Sequence, residues 1–122
     1  MNHKIEEVHP ALAFEKIQKG ALLLDVREWE EIELFNFDLE EQLMIPLSEL
    51  TERFKEIPGY REIIVGCHSG NRSMQVALFL KGQNFEKVFN LQGGIREWIQ
   101  HNLPVQWDNP KINRPVRGEV FK

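Results

Sequence analysis

The chain has 122 residues, of which 42% are hydrophobic and 28% charged, and its formal net charge is −4. That is the length of one domain, enough to bury a core without a disulfide or metal staple. The single cysteine, Cys67, excludes an intrachain disulfide framework and multi-cysteine zinc motifs, and the mild acidity argues against a general nucleic-acid binder.

The N-terminal stretch from Met1 to Glu7 has no apolar core of a secretory leader. The longest apolar runs fall far short of the ~20 residues that span a bilayer. The expectation is a cytoplasmic protein with no membrane partner, and a lone thiol fits a reducing compartment.

Ile5 to Val8 reads as a short strand, and Pro10 to Lys19 as a helix with proline in its first turn and Gly20 beyond its end. Ala21 to Val26 is apolar on consecutive positions, the pattern of a parallel strand covered on both faces. Residues 28–41 carry seven acidic side chains and no basic one, which reads as a solvated face or a partner surface. Gln42 to Ile45 is a weaker strand. Leu47 to Glu56 reads as a helix that starts near Ser48 and stops before Pro58-Gly59. Glu62 to Cys67 is the second dense apolar run. Asn71 to Lys81 has helical spacing and ends at Gly82, Lys87 to Asn90 is a weak strand, and Ile95 to His101 is a helix after Gly93-Gly94. Strands alternating with helices predict an α/β fold, a mostly parallel central sheet of about five strands with helices on both faces. Residues 1–105 form the expected domain, and the proline-containing 106–122 an extended tail.

The sharpest feature is Gly66-Cys67-His68-Ser69-Gly70-Asn71-Arg72-Ser73. A cysteine ends an apolar strand, a polar loop follows, and an amphipathic helix begins. Ligands of open parallel sheets bind beyond the carboxyl ends of the strands. The turn into a helix aims backbone N–H groups at one point, where a thiolate is stabilised. Arg72 adds a fixed positive charge able to grip an anion in two places. Gly70 lets the loop curl. Against this stands the plainer reading, a buried cysteine acting as a small hydrophobe, with His68 solvated and Asn71 or Ser73 simply capping the helix. The plain reading leaves Gly70, Arg72 and two hydroxyls crowded into one turn without a reason. His68 has no second ligand beside it, so no metal site is expected.

Cys67-His68-Ser69-Gly70-Asn71-Arg72 resembles the active-site loop of rhodanese-like sulfurtransferases, in which a cysteine, two variable residues, glycine, a variable residue and arginine follow in order. Leu24-Asp25-Val26-Arg27-Glu28, Ile45-Pro46-Leu47, and Leu91-Gln92-Gly93-Gly94 with Trp98 resemble three further motifs of that family, in the family's order. The family's Gly-His-Ile-x-Gly-Ala stretch is replaced here by Phe35 to Met44, so the resemblance does not extend to that part of the pocket wall.

The resemblance implies transfer of sulfane sulfur. Cys67 would be the nucleophile that takes sulfur from a donor such as thiosulfate as a persulfide, then yields it to cyanide, a thiol or a protein acceptor. Arg72 would orient the anionic donor, and His68, Ser69, Gly70, Asn71 and Ser73 would form the substrate loop. No metal or organic cofactor is implied. Asp25 and Arg27 have two readings, a place at the pocket mouth or a salt bridge fixing the next helix. Two rivals come from other classes. One is a non-catalytic binding or redox-sensing module. The other is phosphatase or arsenate-reductase chemistry, which uses a longer loop than the four residues between Cys67 and Arg72.

Overall fold

The computed structural model describes residues 4–107. Five parallel strands form the central sheet: β1 (Glu6–Val8), β2 (Leu22–Asp25), β4 (Gln42–Met44), β5 (Ile63–Gly66) and β6 (Val88–Leu91), in the spatial order β1-β6-β5-β2-β4. β5 therefore lies at the centre, between β6 and β2, and Cys67 stands just beyond its carboxyl end.

The helices are α1 (Pro10–Gln18), α2 (Trp29–Leu34), α3 (Leu50–Arg53), α4 (Asn71–Gly82) and α5 (Gly94–Gln100). Their faces follow from the handedness of the crossovers. The chain moves one way across the sheet from β1 to β2, and the other way from β4 through β5 to β6. Right-handed connections must then put α1 on one face and α3 and α4 on the other. The core divides accordingly. Leu22, Leu24, Ile63 and Val65 pack with Leu50, Val76 and Leu80, whereas Leu23 and Ile64 pack with Ala13, Ile95 and Trp98. Consecutive apolar residues on β2 and β5 thus feed alternate faces, as their unbroken pattern predicted. Trp98 is fully buried, with its indole N–H donating to the Pro104 carbonyl at 2.8 Å.

Three departures from the sequence reading bear on the site. Residues 28–41 are not merely a charged face: they contain α2 and strand β3 (Phe35–Phe37), anchored by the buried Ile32 and Phe37. The helix expected over Leu47 to Glu56 is broken into a 3₁₀ turn, the single turn of α3 and a second 3₁₀ turn. Ser48 does not cap it, because its hydroxyl donates to Glu28 at 2.8 Å. Strand β7 (Val105–Trp107) pairs antiparallel with β3, Phe35 opposite Trp107. Of the expected tail at 106–122, Gln106 and Trp107 lie in β7, and residues 108–122 lie outside the described residues. Among the described residues no helix is long and apolar enough to cross a membrane.

Candidate functional site

The loop after β5 wraps around one sulfur atom. Cys67 is 1% exposed. Its Sγ accepts from the Gly70 amide at 3.1 Å and the Ser73 amide at 3.3 Å, and lies 3.2 Å from the Ser73 hydroxyl oxygen. This curl requires Gly70 at φ +107°, a backbone state that disfavours any residue with a Cβ. Gly70 is also the residue at the cap of α4, and no side chain caps that helix, so neither Asn71 nor Ser73 has the capping role the plain reading gave them. The first turn of α4 leaves amides without intrahelical partners beside the sulfur.

Behind the sulfur runs a buried polar chain. Ser73 and Asn90 are both fully buried. The Ser73 hydroxyl donates to Asn90 Oδ1 at 2.6 Å, and Asn90 Nδ2 donates to Glu7 Oε2 at 3.0 Å and to the Gly70 carbonyl at 3.2 Å. These two acceptors fix which end of the Asn90 amide faces Ser73. The Ser73 proton is thereby committed to Asn90, and the two loop amides remain the donors to sulfur.

The loop is held from a third side by the turn into α5. The Ile95 amide donates to the Cys67 carbonyl at 2.8 Å and the Arg96 amide to the His68 carbonyl at 3.1 Å. So close an approach leaves no room for a side chain at Gly94, where a Cβ would fall inside contact distance of both carbonyls. Gly93 and Gly94, both at positive φ, make the turn into α5, and this turn clamps the loop.

Beside the loop opens a cavity of about 410 Å³, lined by Arg27, Glu31, Leu34, Phe35, His68, Ser69 and Arg72. Its volume lies in the range of small-molecule sites. Arg72 reaches across to α2 and donates from both terminal nitrogens to the two Glu31 oxygens, each at 2.7 Å. The hydrogen bonds from Arg72 hold the Glu31 carboxyl below the ordinary carboxylate range, against a smaller opposing effect of burial. Arg72 is held above its ordinary value, chiefly by the bonds to Glu31, with further contributions from the nearby Cys67 and Glu28.

Arg27 is fully buried, and its guanidinium pairs with the equally buried Asp25 at 2.9 Å. It also donates to the carbonyls of Glu31 and Phe35, and so ties the end of β2 to the middle of α2 and to the residue that follows it. The Asp25–Arg27 pair is a structural tie, and Arg27 borders the cavity.

The structure thus brings Cys67, Gly70 and Ser73 around the sulfur, and His68, Ser69, Arg72 and Arg27 to the cavity. Asn71 is exposed on the first turn of α4 and does not line the cavity. The sequence reading missed Glu31, Leu34, Phe35, Asn90 and the clamping role of Gly94. One signal was available for Asn90, a lone polar residue within the otherwise apolar Val88–Leu91.

A family model described as a rhodanese-like domain matches residues 9–101. The chain is 37% identical over 87 residues to a sulfurtransferase of Allochromatium vinosum, covering 71% of this chain and 79% of that one. It is 33% identical over 104 residues to the thiosulfate sulfurtransferase GlpE of Haemophilus influenzae, covering 82% and 93%. The crystal structure of a rhodanese-related protein from Thermoplasma volcanium superposes with a TM-score of 0.71 at 32% identity, covering 82% of this chain and 96% of that one. The loop geometry, the parallel sheet and these likenesses agree: the chain belongs to the rhodanese-like domain family.

Proposed function

We propose that this sulfurtransferase-like domain moves sulfane sulfur through a persulfide on Cys67. The observation that carries the reading is the sulfur at the end of the central strand, receiving two loop N–H groups at 3.1 and 3.3 Å beside the open first turn of α4. Fixed donors of this kind hold a negative sulfur without reorganising during the reaction.

With thiosulfate as donor, the Cys67 thiolate attacks the outer sulfur. A bond forms between Sγ and that sulfur, the bond between the two thiosulfate sulfurs breaks, and its electron pair leaves with sulfite. In the second half-reaction an acceptor, cyanide or a thiol, attacks the outer sulfur of the persulfide and returns Cys67 to the thiolate. Charge and atoms balance in each half, and the cycle follows ping-pong kinetics. The chain has one cysteine, so no second thiol of the same chain can resolve the persulfide as a disulfide. The sulfur leaves to an external acceptor, in a reducing compartment for which we propose the cytoplasm.

The test is the intact mass of the protein after treatment with a sulfane donor. Wild type is expected to gain one sulfur and lose it on addition of cyanide, with thiocyanate formed, and Cys67→Ser is expected to gain none. Hydrolysis of an aryl phosphate with no sulfur taken from any donor would overturn the reading in favour of phosphatase chemistry. Rapid peroxide oxidation of Cys67 without sulfur turnover would favour the sensor.

A further inference from the structure

The cations lining the cavity are already matched. Arg27 is closed off with Asp25, both fully buried. Arg72, the group the family resemblance assigns to an anionic donor, commits one N–H of each terminal nitrogen to Glu31. Glu28 and the Cys67 sulfur add their negative fields at the same guanidinium. Once Cys67 is a thiolate, one guanidinium already paired with the Glu31 carboxylate stands near that thiolate as well. Thiosulfate, a dianion, would meet a guanidinium whose charge Glu31 already offsets, beside the Cys67 thiolate, and like charges brought together repel. Apart from His68 and Ser69, the rest of the wall is apolar: Leu34, 67% exposed, and the half-buried Phe35 offer surface to a hydrocarbon group.

We infer that the site takes sulfur preferentially from an organic persulfide whose carbon group is apolar and uncharged, and that Glu31 sets this preference by occupying Arg72 and by placing a carboxylate in the donor cavity. The inference rests on Cys67 as the sulfur-accepting nucleophile. The step is balanced without any further reactant. The Cys67 thiolate attacks the outer sulfur of R–S–SH, the bond between Sγ and that sulfur forms, and the S–S bond of the donor breaks. The electron pair leaves with the thiolate R–S⁻, and the outer sulfur keeps its proton on Cys67. The carbon group R would lie against Leu34 and Phe35, and discrimination would come from what the site repels as much as from what it binds.

The experiment compares kcat/KM for sulfur loading of Cys67 from thiosulfate and from benzyl hydropersulfide, read by intact mass, in wild type and Glu31→Gln. Glutamine keeps the shape and an acceptor for the Glu28 amide at the start of α2. Wild type is expected to favour the hydropersulfide, and the ratio of thiosulfate to hydropersulfide use is expected to rise about tenfold in Glu31→Gln. The ratio is insensitive to a uniform loss from imperfect folding. A second measurement needs no variant: thiosulfate use by wild type is expected to increase with ionic strength as repulsion is screened, and hydropersulfide use to stay flat. An unchanged or lowered ratio in Glu31→Gln, a wild-type preference for thiosulfate, or a fall in thiosulfate use with salt would each overturn the inference while leaving Cys67 in its role. No sulfur on Cys67 from either donor would overturn the nucleophile reading itself, and this inference with it.

Discussion

Two arginine–carboxylate pairs border the same cavity and do opposite things. Asp25–Arg27 joins neighbours in sequence, is wholly buried, and binds backbone carbonyls on either side. Glu31–Arg72 joins residues 41 apart in sequence, with side chains 31% and 34% exposed for Arg72 and Glu31. A buried pair is weak evidence of net stabilisation, yet breaking it from one side is costly, because the survivor keeps its charge in a dry place. A half-exposed pair contributes little to stability because water serves either partner nearly as well. The first pair therefore fixes the frame on which the cavity wall is built. The second is free to set the charge that a donor meets.

The largest test of this contrast is Asp25→Asn. It retains shape and removes the charge opposite a guanidinium with no exposure, so a loss of about 3–5 kcal/mol is expected in urea unfolding. Glu31→Gln is expected to cost less than about 1 kcal/mol in the same assay. Comparable losses from the two substitutions would erase the distinction between frame and charge setting.

The frame was legible in the sequence where burial leaves a simple pattern. Leu22 to Leu24 and Ile63 to Val65 are apolar on both faces because both faces are covered, and that reads directly as central parallel strands. The motif residues Cys67, Gly70 and Ser73 were legible as a strand-to-helix turn because the chemistry is local. The segment from Trp29 to Phe37 was not. Ile32 and Phe37 are its fully buried apolar anchors, and the acidic residues around them hide the short period of α2. Nothing local marks Glu31 among the seven acidic residues of 28–41, since its partner Arg72 arrives through the fold. Asn90 does stand out as a polar residue in an apolar strand, but its contact with Ser73 spans 17 positions and arrives through the fold.

The loop itself offers the next contrast. If its shape is set by backbone contact with α5 and not by the Arg72–Glu31 pair, then Gly94→Ala should disturb it far more than Glu31→Gln. Alanine at φ +64° strains the backbone, and its methyl group meets the Cys67 and His68 carbonyls. Together these are expected to cost about 2–3 kcal/mol and to slow sulfur loading of Cys67 from every donor alike. Loss confined to thiosulfate would instead tie the loop's shape to the charge of the cavity.

The smallest effect is also the most specific to the exposed pair. In the folded chain Glu31 is held below its ordinary value by the hydrogen bonds from Arg72. A carboxyl depressed on folding contributes stability that is fully present above its unfolded value and is lost as pH falls through its folded value. Wild type should therefore exceed Glu31→Gln by a constant margin near neutrality, at most about 1 kcal/mol because both partners are partly solvated. The margin should shrink on acidification below the ordinary carboxylate range, as the proton displaces Arg72 from Glu31. Urea midpoints of the two proteins across acidic and neutral pH measure that margin directly. A margin that widened in acid would mean that Glu31 is bound more tightly as an acid than as an anion. Arg72 would then be free for a donor, and the two arginines would no longer differ in the way their burial requires.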